Sequence, residues 1–294
     1  MSIFEAIPIE STRSELGEGT LWDERRECFI WVDAFEGLIN TYSPSKRETV
    51  SHKIADFVSY VGKQESGGYV VALGDRFALT NKDFKIVKEF DLQIDLNLGQ
   101  TNDGNIDSHG SLWIGVAEAV SGSKTGYLRR IDSKYESRIY RRGVQASNGM
   151  DWSPDGTVMY YIDSAFNQVS RYEIDTRSGE PIRELPALDV SDANGIPDGM
   201  CTDSLGNLWI AFWGSGQIRN YTPEGNLINI VQSPTALTTC LSFGGSNLNT
   251  MFITSAQDHF RPEYAFNSDT DEYGGMCFEV ELPVSGKLDN YFPG

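Results

Sequence analysis

A turn followed by an apolar, aromatic-rich strand recurs along the 294-residue chain, and this repeat constrains the fold more than any other feature. It reads DERRECFIWVDA at 23–34, DSHGSLWIGVA at 107–117, SPDGTVMYYIDS at 153–164, DSLGNLWIAF at 203–212 and GGSNLNTMFITS at 244–255. A weaker copy, ESGGYVVAL, lies at 65–73. One anchor per strand (Ile30, Val70, Trp113, Tyr160, Trp209, Phe252) gives steps of 40, 43, 47, 49 and 43 residues. That is the period of a four-stranded propeller blade. Alternating strands follow the anchors at 38–44, 126–133, 167–175 and 217–225, with Pro-Asp-Gly and Pro-Glu-Gly turns at 154–156 and 223–225. An α/β chain would need sustained helical periodicity, which is missing, and a β-sandwich would not need six matching periods. The expected fold is all-β: a six-bladed β-propeller of four-stranded antiparallel blades, one domain over 1–294. The leading FEAIPIE (4–10) is expected to pair with the last blade and close the ring, which removes exposed sheet edges.

Composition narrows the partners. The net charge of −18 repels phosphate backbones and anionic membranes, so neither nucleic acid nor a membrane is an expected partner. No apolar run approaches the roughly 18 residues of a membrane helix. The start, MSIFEAIPIES, has neither the basic nor the apolar region of a secretory signal, so a cytoplasmic location is expected. Cys28, Cys201, Cys240 and Cys277 are scattered and read as buried small hydrophobes in a reducing compartment. Three histidines (His52, His109, His259) argue against a His-rich zinc site.

The strand before each anchor strand should be the innermost of its blade. Four such strands begin alike: Glu18-Gly-Thr-Leu-Trp-Asp23, Asn102-Asp-Gly-Asn-Ile-Asp107, Asn148-Gly-Met-Asp-Trp-Ser153 and Asp198-Gly-Met-Cys-Thr-Asp203. Each opens with an acid or amide, a glycine follows, and Asp or Ser stands five residues on. In a propeller these openers share one height around the channel. Any one of them alone reads as a turn cap holding channel water. Four in register place two carboxylates and two amides face to face, a conflict that a hard divalent cation resolves. Oxygen ligands of this kind suit Ca²⁺, Mg²⁺ or Mn²⁺, and some such sites take Zn²⁺ or Fe²⁺. Calcium is the first expectation. The glycines would allow close backbone approach or unusual dihedrals at the strand entrance.

These same segments, LGEGTLWD (16–23), TNDGNIDSHGSLWIG (101–115), SNGMDWSPDGTVMYYIDS (147–164), GIPDGMCTDSLGNLWIAFWG (195–214) and SFGGSNLNTMFITSA (242–256), resemble the regucalcin/gluconolactonase family, which includes sugar lactonases and luciferin-regenerating enzymes. The resemblance implies one metal at the hub held by Glu18, Asn148 and Asp198, a substrate-binding asparagine at Asn102, and Asp198 as general base. Two departures stand out. Gln100 occupies the position where many sugar lactonases of the family carry Arg, and Gln lacks that charged fork. After Gly115 the chain reads VAEAV, with Glu118 near the place of a substrate-reaching acid.

The implied function is a metal-dependent hydrolase that opens a sugar (aldono) lactone with water as the nucleophile. No G-x-S-x-G elbow offers a covalent route. The alternatives are a metal-dependent esterase or phosphotriesterase-like hydrolase, a non-enzymatic calcium-binding regulatory propeller, and a propeller with no metal. The expected partner is a small-molecule lactone, and the expected state a monomer or weak homo-oligomer. Trp22, Trp113, Trp152 and Trp209 read as blade core, and so does Trp213, although it could line the mouth. The loops 117–126 and 258–275 are candidate lids, the latter with His259 and with Arg261 as a substitute for the missing fork.

Overall fold

A computed structural model describes residues 1–257, 259 and 271–294. The repeat becomes six sheets arranged as a six-bladed propeller, each blade a run of antiparallel strands. Strands are numbered β1 to β26 along the chain. The innermost strands are β3 (Gly17–Asp23), β7 (Tyr60–Gln64), β11 (Gly99–Ile106), β15 (Ser147–Trp152), β19 (Ile196–Thr202) and β23 (Thr238–Gly244). Each packs against the inner strand of the next blade, and β23 returns to β3. The anchor residues fall on the second strands: β4 (Cys28–Asp33), β8 (Tyr69–Ala72), β12 (Leu112–Glu118), β16 (Val158–Asp163), β20 (Leu208–Trp213) and β24 (Thr250–Ser255). All six anchors are buried, as strands covered on both faces by neighbouring blades must be.

The leader closes the ring as expected, but it is split. β2 (Ile7–Ile9) is the outer strand of blade six, antiparallel to β25 (Cys277–Glu281). β1 (Ser2–Glu5) instead runs parallel to β22 (Leu227–Gln232) on the edge of blade five. Ala6 lies at the crossing, where its N–H donates to the Gln232 carbonyl at 2.9 Å. Pro8 is tolerated because it sits on an edge strand. Ile9 drives this closure: it is buried against Trp22, Phe29, Trp31, Phe252 and Cys277.

The C-terminal segment belongs to no repeat, and its place follows only from the structure. β26 (Tyr291–Phe292) lies parallel to β7 on its channel side. Lys287 Nζ reaches Asp151 Oδ1 at 2.6 Å, and Asn290 Nδ2 donates to the Ile106 carbonyl at 2.9 Å. Nearby, the fully buried Lys63 pairs with Glu24 at 2.7 Å. The far end of the hub is therefore closed by chain and by ion pairs.

The Asp found five residues after most openers turns out to be architectural. Asp107 accepts from the backbone N–H of His109 and Ser111, each at 2.9 Å, and from Trp113 Nε1 at 2.9 Å. Asp203 does the same for Leu205, Asn207 and Trp209. The acid at once builds the turn and satisfies a buried indole. Trp22, Trp113, Trp152 and Trp209 are core, as read from the repeat. Among the described residues no helix is long and apolar enough to cross a membrane.

Two outcomes test this account. Ile9→Ala should lower the unfolding free energy by about 2–5 kcal/mol in urea titration, whereas a change below 1 kcal/mol would mean that β2 does not hold the ring. Asp107→Ala should destabilise by roughly 1–3 kcal/mol, because it strands the Trp113 N–H and two turn amides, and it should leave cation binding at the hub intact by calorimetry.

Candidate functional site at the hub

Adjacent inner strands meet backbone to backbone at the glycines. A Cβ on Gly149 would stand 2.7 Å from the Asp198 carbonyl and from the Met200 nitrogen. A Cβ on Gly199 would stand 2.7 Å from Cys240 Cα. Blades four, five and six can approach this closely only with glycine there. The pairing of inner to anchor strand also slips at this level in five blades: between Glu18 and Leu21, Thr101 and Gly104, Ser147 and Met150, Pro197 and Met200, and Thr238 and Leu241. A bulge re-aims the side chains it carries. Asn102, Asn148 and Asp198 lie inside these slips and Glu18 lies at the edge of one, so all four are turned toward the hub.

They line one cavity of about 250 Å³. Its polar lining is Glu18, Asn102, Asn148, Ser164 and Asp198; its apolar lining is Leu16, Ala146, Ile196 and Trp213. Asp198 is buried, and Glu18 and the two asparagines are half-buried. Among the described residues no lysine, arginine or histidine lines this cavity, and no group donates a hydrogen bond to the Asp198 carboxylate. Burial, then the charges of Asp198 and Asp103, hold the Glu18 carboxyl well above its ordinary range, against a hydrogen bond from the Gly19 backbone. Burial, then Asp103, do the same to Asp198. These are mutually repelling acids without a counter-charge among the described groups.

The amides are oriented by a hydrogen-bond chain with an obligate acceptor at each end. Ser164 Oγ lies 2.6 Å from the Pro197 carbonyl, which can only accept, so the hydroxyl proton is directed there. Ser164 must then accept from Asn148, whose Nδ2 is 2.8 Å away. At the other end, Asn102 Nδ2 donates to the Ser147 carbonyl at 2.8 Å and to Asn148 Oδ1 at 3.0 Å. Both Asn102 N–H bonds are thereby used, and its Oδ1 is left as an acceptor. The described oxygens of the mouth able to hold a cation are thus those of two carboxylates and of the two oriented amides, Asn148 and Asn102. They fit a hard divalent ion. No histidine or cysteine is among the residues lining the cavity, so the donors at hand are oxygens.

The other residues singled out from sequence lie elsewhere. Gln100 is not among the residues lining the cavity and pairs with Ala117 in the sheet. The Glu118 carboxylate accepts from the backbone of Gly122 and of Lys124, the latter at 2.6 Å, so it holds its own loop 118–124 and does not reach the mouth. Trp213, read as core, is half-buried and forms a wall of the cavity beside Leu16. His259 is exposed, with Nε2 2.5 Å from Glu15 Oε1; Arg261 and most of the 258–275 loop lie outside the described residues. Cys28, Cys240 and Cys277 are buried and Cys201 half-buried, none in a disulfide.

Sequence reading missed Asp103, Ser164 and, apart from Trp213, the apolar wall. Asp103 is buried in the channel below the mouth, and burial pushes it up to about 6, against a 2.7 Å hydrogen bond from the Gly104 N–H. A signal existed: Asp103 stands where the other three openers are followed directly by glycine. Ser164 closes an anchor segment, and nothing in that segment points to the carbonyl it meets on the next blade.

Comparison with known proteins places this geometry in a family. The model of the SMP-30/Gluconolactonase/LRE-like region matches residues 16–257. Regucalcin of Xenopus laevis is 29% identical over 98% of this chain and 99% of its own. The 6-deoxy-6-sulfogluconolactonase of Pseudomonas putida is 27% identical over 96% of each chain. The crystal structure of regucalcin from Agrobacterium tumefaciens, described as a calcium-binding protein, superposes with a TM-score of 0.90 at 24% identity over 99% of each chain, which shows the shared fold. The chain belongs to the SMP-30/gluconolactonase/LRE-like family.

Proposed function

We propose that this protein is a metal-dependent hydrolase that opens a sugar lactone to its aldonic acid at the hub mouth. The observation that carries the reading is a pair of uncompensated carboxylates, the half-buried Glu18 and the buried Asp198, set beside amides whose oxygens are held in one orientation. Glu18, Asn148 and Asp198 would hold one divalent cation, with calcium the first candidate. When bound, the ion supplies Lewis acidity toward a carbonyl oxygen. Membership of a family whose relatives include a named sulfogluconolactonase supports the substrate class.

The chain's own residues account for the rest. Asn102 Oδ1 can only accept, so it would take a hydrogen bond from a substrate hydroxyl and orient the ring. Leu16, Ile196 and Trp213 would pack against the C–H face of the lactone and exclude bulk water. The Asp198 carboxylate, with no described donor, is available to take a proton from the attacking water. Water adds to the carbonyl carbon, the acyl C–O bond of the ring breaks, and the proton held at Asp198 passes to the departing ring oxygen. Burial, and then the charge of Asp103 below, raise the proton affinity of Asp198. Gln100 and Glu118 have no part in this scheme.

Activity and stability both test the reading. Acid release from a panel of aldonolactones, corrected for spontaneous opening, should vanish in EDTA and return with a single added divalent ion. Asp198→Asn should lower the restored kcat by roughly 10²–10⁴-fold. Absence of turnover on every lactone, with the ion still raising Tm, would reject the lactonase reading and favour another ester or a binding role. In chelator, Asp198→Asn should also raise the Tm by about 2–4 °C, since it removes one of two mutually repelling carboxylates. Added Ca²⁺ should stabilise the wild type and not the variant. Equal Tm in chelator would show that the mouth carries no such repulsion.

A further inference from the structure

We propose that Ser164 is a positioning residue for the hub: its hydroxyl decides which end of the Asn148 amide faces the mouth. The inference rests on the reading of Glu18, Asn148 and Asp198 as the cation-holding set. An asparagine amide presents either an oxygen or an NH₂ group, and two such states are close in shape. Only the oxygen serves a cation. Beside two carboxylates, an unrestrained Asn148 would favour the wrong state, because its NH₂ could donate to the acids.

The chain of contacts prevents that turn. The Pro197 carbonyl has no proton to give, so at 2.6 Å it takes the single proton of Ser164. With that proton committed, Ser164 Oγ offers only lone pairs, and at 2.8 Å it requires the NH₂ end of Asn148. An inverted Asn148 would set oxygen against oxygen at Ser164 and NH₂ against NH₂ at Asn102, two losses in one rotation. The arrangement also crosses a blade boundary. Ser164 follows the anchor strand of blade four, and Pro197 immediately precedes Asp198 on blade five. One hydroxyl thus ties the amide of one blade to the backbone that carries the acid of the next. Ser164 is itself held, its N–H donating to the Ala146 carbonyl at 2.9 Å.

The test is calorimetric titration of the metal-stripped full-length protein with Ca²⁺ alone, and separately with Mn²⁺ alone. The variants are Ser164→Ala, Ser164→Thr, Asn148→Ala and the double Ser164→Ala/Asn148→Ala. Ser164→Ala should weaken cation affinity roughly 10–100-fold, the range found when a partner that orients a metal ligand is removed. Ser164→Thr keeps the hydroxyl and should restore affinity. In the double variant the loss should not exceed that of Asn148→Ala alone, because Ser164 acts through Asn148. A merely structural serine would give additive losses and a lowered Tm in chelator, with no rescue by threonine. If Ser164→Ala does not fold, Ser164→Cys keeps the volume with only weak hydrogen bonding and should show the same loss. Wild-type affinity in Ser164→Ala, together with a loss in Asn148→Ala, would overturn the proposal and leave the cation set standing. Undiminished affinity in Asn148→Ala, or no cation binding by the wild type, would overturn that set and the proposal with it.

Discussion

Everything at the hub depends on neighbouring inner strands touching backbone to backbone. Gly149 against the Asp198 carbonyl and Gly199 against Cys240 leave no room for a Cβ, so the blades converge until strand entrances are nearly in contact. Convergence alone would bury whatever side chains those entrances carry. The slipped pairing at the same level aims Glu18, Asn102, Asn148 and Asp198 into a common space, while the fifth slip, in blade six, carries Thr239 and Cys240, which do not line it. Blade two shows how much the slip matters. Its inner strand pairs regularly from Tyr60 to Lys63, and its side chains fill the hub without lining the mouth. Geometry that is merely tight in an apolar region becomes electrostatically consequential here, because two of the converging groups are acids.

The two ends of the channel treat that charge in opposite ways. At the far end Asp151 and Glu24 are matched by Lys287 and Lys63, and the C-terminal strand seals the opening. Removing one partner from such a pair would expose an uncompensated buried charge, so these residues serve the ring. At the mouth Glu18 and Asp198 have no such partner among the described residues, and Asp103 beneath adds to their repulsion. A stable propeller could neutralise the mouth as it neutralises the far end. Stability gives up something at one end of the channel, and that is the end with a cavity open to a small molecule.

The sequence made the fold legible because each blade repeats its own core. Trp113, Tyr160 and Trp209 occupy one place in successive copies, and a repeat seen six times leaves few architectures. The openers were legible for the same reason: register converts sequence spacing into a shared height. What the sequence hid depends on contacts between blades or on residues used once. Ser164 acquires its role from the carbonyl of Pro197, 33 residues away on the next sheet. The split leader follows from a crossing at Ala6, and the place of β26 from a tail that belongs to no repeat. Glu118 shows the converse: near the expected register, it is taken up by the amides of its own loop. Asp107 and Asp203, which shared the register of the openers, proved to be turn caps because a Trp N–H and two backbone N–H groups converge on each.

The directions of the hydrogen bonds restrict what the mouth can receive more than its size does. Asn102 has committed both N–H bonds, Asn148 has turned its NH₂ toward Ser164, and the acids have no proton to offer when ionised. The polar lining is therefore a set of acceptors. Such a lining asks its ligands for positive charge or for donors, which a cation and a polyhydroxylated ring supply, and it offers little to an anion. For the proposed reaction this polarity has a consequence. The hydroxyls of the lactone are donors that match the described acceptors, whereas the carboxylate of the aldonic acid would be repelled by Glu18 and Asp198 and would find its positive partner only in the cation they hold.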